Sequence, residues 1–154
     1  MSPKLRAIWV GGSIAGALDI LFAISFAAYG GRTPAWLLQT VATGLLGEGA
    51  YGGGWPVAIL GLIGHFAMSF GWAALFVAAA SRVPRLVERP VMYGLLFGTL
   101  VFFTMRLLVL PLSAFPYPVS FKPLSAGLDL LSHLFFFGLP ISLAAAKNLR
   151  RSPT

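Results

Sequence analysis

The chain has 154 residues, of which 58% are hydrophobic and only 10% charged, with a formal net charge of +7 and no cysteine; its mean hydropathy is +0.86. A soluble domain carries about 25% charged residues to cover its surface, so this chain lacks the polar groups for an exterior facing water. The missing cysteines exclude disulfides, thiol catalysis, thiolate metal sites and acylation at cysteine. The basic residues sit between apolar runs instead of crowding one face, which excludes a nucleic-acid partner and makes the lipid bilayer the first partner.

A hydrocarbon core of about 30 Å needs about 20 apolar residues of helix. Four runs meet this length, at about 7–29, 56–80, 91–111 and 124–146. Breakers separate them: Gly30-Gly31, Gly52-Gly53-Gly54, the stretch Arg82 to Pro90, and the stretch Pro111 to Pro123 with its four prolines. The first run is longer than a signal-peptide core and is interrupted by Asp19, so it reads as a retained span. The expected fold is an all-α integral membrane protein, a four-helix up-down-up-down bundle forming one domain over residues 1–154.

Between the first two spans, Thr33 can cap a helix with Pro34 at its first position. Trp36, Leu37, Val41 and Leu45 then oppose Gln39, Thr40 and Thr43, which predicts a short interfacial helix over 34–46 lying on the membrane surface or covering the bundle. Lys4, Arg6, Arg82, Arg85, Arg89, Lys147, Arg150 and Arg151 fall on one side of the membrane, and Arg32 and Lys122 on the other. Eight against two places both termini in the cytoplasm by the positive-inside rule.

Inside lipid, helices associate through close packing and interhelical hydrogen bonds. Span 1 carries Gly12, Gly16, Asp19, Ala23 and Ala27 on one predicted face, and span 3 carries Gly94 and Gly98. A weak repeat links span 2, with His65-Phe66 and Ala78-Ala79-Ala80, to span 4, with His133-Leu134 and Ala144-Ala145-Ala146. It suggests two duplicated hairpins.

Ionisable groups within a span are costly and ordinarily face the bundle interior or a cavity. They are Asp19, His65, Arg106, Asp129 and His133, with Glu48 in the loop above. All but Asp19, near mid-membrane, fall in the outer half, which predicts a polar pocket open to the outside. Arg106 and Asp129 each lie about five residues from the outer ends of adjacent spans, a matched depth of roughly 7–8 Å that predicts an ion pair. Asp129 and His133 are spaced i, i+4 and share a face. His65 and His133 have matched depth on parallel spans and are expected to face one interior space. No cofactor is required by this pattern, but facing histidines could hold a b-type haem, and His65, His133 and Asp129 could hold a metal. A purely structural polar cluster, a proton or ion pathway and a catalytic site are the other readings. No catalytic motif stands behind the last. Gly47-Glu48-Gly49-Ala50-Tyr51-Gly52 matches G-x-G-x-x-G without a βαβ context, and Gly11-Gly12-Ser13-Ile14-Ala15 ends in Ala where a nucleophile elbow needs Gly.

The strings Leu37-Leu38-Gln39-Thr40-Val41-Ala42-Thr43-Gly44-Leu45-Leu46-Gly47, His65-Phe66, Leu110-Pro111-Leu112-Ser113-Ala114 and Gly138-Leu139-Pro140-Ile141 resemble a family of uncharacterised four-span bacterial inner-membrane proteins. The second half is distantly similar to YagU-type membrane proteins. The resemblance implies a bacterial inner membrane and four helices, and carries over no activity. Together the residues and the resemblance point to binding or translocation of a small solute, lipid or ion. An accessory subunit of a larger membrane complex, or a homo-oligomer, is the alternative of a different class.

The charge bias yields a direct test of topology. Reporters fused at either terminus should be active only in the cytoplasm, and a reporter inserted near Gly52 only outside; a C-terminal reporter active outside would invert the assignment.

Overall fold

The computed structural model describes residues 1–150; Arg151, counted among the basic residues above, lies outside them. Four helices are long and apolar enough to cross a membrane: Pro3–Tyr29, Gly54–Ala80, Pro90–Leu112 and Pro123–Leu149, here spans 1 to 4. The chain is a multi-pass membrane protein, an all-α bundle with no strand among the described residues. Each expected span is present, ending as expected at Tyr29 and Ala80 and running one to four residues further at every other end. Four crossings put both termini at one end of the bundle, called the basic end; the opposite one is the far end.

Local chemistry sets the starts. The Ser2 hydroxyl accepts a hydrogen bond from the Leu5 amide, and Thr33 accepts one from Trp36. Proline occupies the first position at Pro3, Pro34, Pro90 and Pro123, where its missing N–H costs nothing. A loop helix, Pro34–Leu46, ends at Gly47 with φ of 64°, a left-handed conformation suited to glycine.

Span 1 is the hub. Its Gly12 and Gly16 lie against Phe70, Phe66 and Ser69 of span 2, and Gly11 lies against Ile141 and Ala144 of span 4. The single face expected for Gly12, Gly16 and Asp19 is thus two faces: Asp19 turns to span 4, where it meets Ser132. One turn apart on span 2, the His65 Nε2–H donates to the Gly16 carbonyl at 2.9 Å and the Ser69 hydroxyl to the Gly12 carbonyl at 2.8 Å. Helical carbonyls normally hide beneath side chains; the glycines leave these two open to a second bond.

Spans 3 and 4 cross backbone on backbone. A Cβ on Gly138 would lie 2.5 Å from the Gly98 nitrogen and 2.7 Å from its Cα, and one on Gly98 would strike the His133 carbonyl group. The Ser142 hydroxyl reinforces the crossing by donating to the Pro90 carbonyl at 2.7 Å. Spans 2 and 3 do not close in this way. They meet through the rings of Trp72, Phe76 and Phe97, with centroids 6.2 and 4.9 Å apart for the two pairs.

Both later spans contain a π-helical stretch, Met105–Val109 and His133–Gly138. Each is followed by one leucine and a proline, in the matching strings Leu110-Pro111-Leu112-Ser113 and Leu139-Pro140-Ile141-Ser142. A proline inside a helix lacks its N–H and its ring collides with the carbonyl four residues earlier; a widened turn relieves both. In each copy the serine hydroxyl bonds back to the carbonyl of the leucine before the proline, at 2.8 and 3.0 Å.

The loop helix is present at the expected residues and packs on the bundle, with Leu37 and Val41 against Ile20, Leu38 and Ala58. Leu38, Gln39, Ala42 and Thr43 are buried, while Leu45 is 66% exposed. Gln39 turns inward to a partner there, its amide donating to the Gly54 carbonyl at 2.9 Å, while the Thr43 hydroxyl is satisfied within its own helix by the Thr40 carbonyl at 2.6 Å. In lipid, leucine is the residue that can afford to face out. Against span 2, the Leu38 backbone occupies the space that a side chain at Gly61 would need.

A Gly138→Ala substitution should lower stability by about 1–3 kcal/mol through overpacking at the crossing. Gly64→Ala, where an added Cβ meets nothing within 4 Å, should be neutral or stabilising. Unfolding in mixed detergent followed by circular dichroism measures both, and equal behaviour of the two variants would refute the close crossing.

Candidate functional site

Four ionisable groups gather in the far half of the bundle, on spans 1, 3 and 4. Arg106 lies in the π-helical stretch of span 3. Its Nε and Nη2 both donate to Asp129 Oδ2 of span 4, at 3.0 and 2.8 Å, and its Nη1 donates to the Ser120 carbonyl at 2.6 Å. The rings of Phe102 and Phe121 flank the guanidinium, with centroids 5.0 and 5.4 Å away. The cation is thereby neutralised, hydrogen-bonded and sheltered by aromatic faces, which removes the reason an arginine is costly at this depth.

The second oxygen of the same carboxylate serves the histidine. His133 Nδ1 lies 3.2 Å from Asp129 Oδ1 and donates to the Asp129 carbonyl at 2.9 Å. Both are acceptors, so the Nδ1 carries the proton and, in the neutral ring, Nε2 carries the lone pair. Nε2 has no hydrogen-bond partner among the described residues. The imidazole packs on Phe102 and Phe137 and its side chain is 14% exposed; that of Arg106 is 17% and that of Asp129 37% exposed. Asp129 is therefore the most open member. Next in the chain to His133, Ser132 donates to Asp19 Oδ1 at 2.7 Å, which brings the carboxylate expected near mid-membrane to the level of the cluster.

The other two expected members stand apart. His65 is spent on the Gly16 carbonyl of span 1 and shares no hydrogen-bond partner with His133, which is turned onto span 3. The bond to span 1 fixes the His65 ring, and packing on Phe102 and Phe137 fixes that of His133. His65, His133 and Asp129 do not gather as one metal-ligand set. Among the described residues no three His, Asp or Glu side chains converge on a metal-sized space. Glu48 is exposed in the turn Gly47–Gly52 and pairs with none of the cluster.

Sequence reasoning missed Ser69 and Ser120, a hydroxyl and a carbonyl that complete the polar contacts. Ser69 could have been found from its i, i+4 spacing with His65, matched to Gly12 and Gly16 on the neighbouring span. Ser120 lies in an irregular loop and leaves no such signal.

Two concavities lie away from the cluster. One of about 730 Å³ at the basic end is lined by Lys4, Ser81, Glu88 and Arg150 among others. The other, of about 380 Å³, is an apolar groove between spans 2 and 3. Compared with protein-family models, with curated proteins and with solved structures, the chain matches none.

Removing one partner of a covered ion pair strands the other. Arg106→Ala and Asp129→Ala should each cost about 1–3 kcal/mol, discounted from the fully buried case because the carboxylate is partly open to solvent. The double variant should cost clearly less than the sum, as measured by thermal unfolding in a mutant cycle. Strict additivity would mean that the two side chains do not interact.

Proposed function

We propose that the chain is a bacterial inner-membrane protein, with both termini in the cytoplasm, that binds a small solute or ion from the outer side at Asp129 and His133. The eight-to-two distribution of basic residues supports this orientation and makes the far end the outer end. The observation that carries the binding reading is the state of the histidine. Asp129 Oδ1 and the Asp129 carbonyl hold its Nδ1–H, leaving Nε2 as an oriented, unpartnered acceptor beside a partly open carboxylate. A carboxylate behind an imidazole fixes the tautomer and raises the basicity of the other nitrogen. Such a site accepts a proton, a small cation or a protonated solute. Apart from Lys4, Arg6 and Lys147 at the ends of their spans, no charged side chain lies in the inner half of the spans, which favours binding over passage along a charged pathway.

A second reading, an accessory subunit of a larger membrane assembly, draws on Gly64 and Gly71 of span 2. Both face away from the bundle with nothing within 4 Å of an added Cβ, the kind of surface on which a foreign helix packs closely.

The purified protein should be heated in mild detergent with sodium, potassium, ammonium and small organic amines in turn. A ligand present at about 100 times its Kd stabilises by about 2.7 kcal/mol, a shift of several degrees. That shift should vanish in His133→Gln. No shift with any of these probes, or an equal shift in the variant, would sink the binding reading, and stoichiometric copurifying chains would favour the subunit.

A further inference from the structure

The groove between spans 2 and 3 has properties that the polar cluster does not explain. Its walls include Trp72 and Phe76 of span 2 and Tyr93, Leu96, Phe97 and Leu100 of span 3, so it is apolar along its length. Leu86 of the short helix Arg85–Glu88 lies at its basic end. Trp72 Nε1 is buried there without a hydrogen-bond partner, alone among the buried side-chain polar atoms of the described residues. An indole N–H without an acceptor is unfavourable in hydrocarbon, where water cannot replace the missing bond. The chain next to the lining residues at the basic end is cationic. Arg85 immediately precedes Leu86, Arg89 is one turn before Tyr93, and both arginines are exposed. Glu88, the acidic residue of the same turn, lines the separate concavity with Lys4 and Arg150 and so does not offset this charge.

We propose that this groove holds one acyl chain of an anionic phospholipid from the leaflet at the basic end, with the headgroup phosphate on Arg85 and Arg89. Each part of the lipid meets a matching feature. The hydrocarbon replaces a neighbouring helix in a groove that the bundle leaves open. The phosphate meets two guanidiniums four residues apart. A packed apolar helix would supply the first of these and not the second.

The test uses the full chain with Trp72 as the reporter, in a Trp9→Phe/Trp36→Phe/Trp55→Phe background that keeps an aromatic ring at each position. Vesicles of phosphatidylcholine are doped with a small fraction of lipid brominated on its acyl chains, either phosphatidylglycerol or phosphatidylcholine. The expected result is stronger quenching of Trp72 by the brominated phosphatidylglycerol. In Arg85→Gln/Arg89→Gln the preference should fall, by up to about five-fold per arginine. Equal quenching by the two headgroups, a preference unchanged by the double substitution, or no quenching by either lipid overturns the proposal; the last outcome would mark the groove as filled by protein. The native chain, purified in mild detergent, supplies an independent readout. Retained lipid enriched in anionic phospholipid over the bulk membrane supports the site, and retained lipid of bulk composition overturns it.

Discussion

Hiding apolar surface drives little association between helices that are already dissolved in hydrocarbon. What holds this chain together is direct approach of one backbone to another, at places where glycine leaves room. The crossing of Gly138 over Gly98 joins spans 3 and 4, and the glycines of span 1 expose carbonyls to His65 and Ser69 of span 2. Span 1 and span 4 then complete the bundle through Gly11 and the Asp19–Ser132 bond. The remaining flank has no glycine seam, only aromatic rings, and there the bundle stays open to lipid.

Polarity follows the same logic of local satisfaction. Each of the five ionisable groups set deep in the spans, Asp19, His65, Arg106, Asp129 and His133, is answered from another span or from its own backbone. Arg106 receives a carboxylate, a carbonyl and two aromatic faces. Asp19 receives a serine hydroxyl, and His65 a glycine carbonyl. One acceptor, His133 Nε2, is oriented without being consumed, and this difference separates a candidate site from scaffolding.

Much of the fold was legible because membrane thickness imposes a length and apolarity that few other structures share. The Arg106–Asp129 pair was legible for a related reason: equal distance from the ends of adjacent antiparallel spans puts two residues level, and opposite charges in lipid have strong cause to meet. The pairing of His65 was not, because equal depth says nothing about azimuth, and the acceptor that turned it aside is a backbone carbonyl with no identity in the sequence. The inward face of the loop helix was not legible, because beside lipid the contrast of apolar and polar faces does not say which of them turns to the bundle. Leu45 faces out while Gln39 finds its partner within.

The π-helical stretch at His133–Gly138 makes the site depend on how many residues the chain has, not only on which ones. A wide turn takes up one residue more than an α-helical path would, and each residue turns a helix by about 100°. Downstream of that stretch, Ile141 and Ser142 are seated against spans 1 and 3; upstream, Asp129 and Ser132 face Arg106 and Asp19. The two halves of span 4 are thus phased against each other by a single extra position. Losing any one residue between them, even with every polar side chain intact, would rotate the upstream half away from its partners. The electrostatic arrangement is encoded in spacing, and a comparison that scores only residue identity across that segment would overlook it.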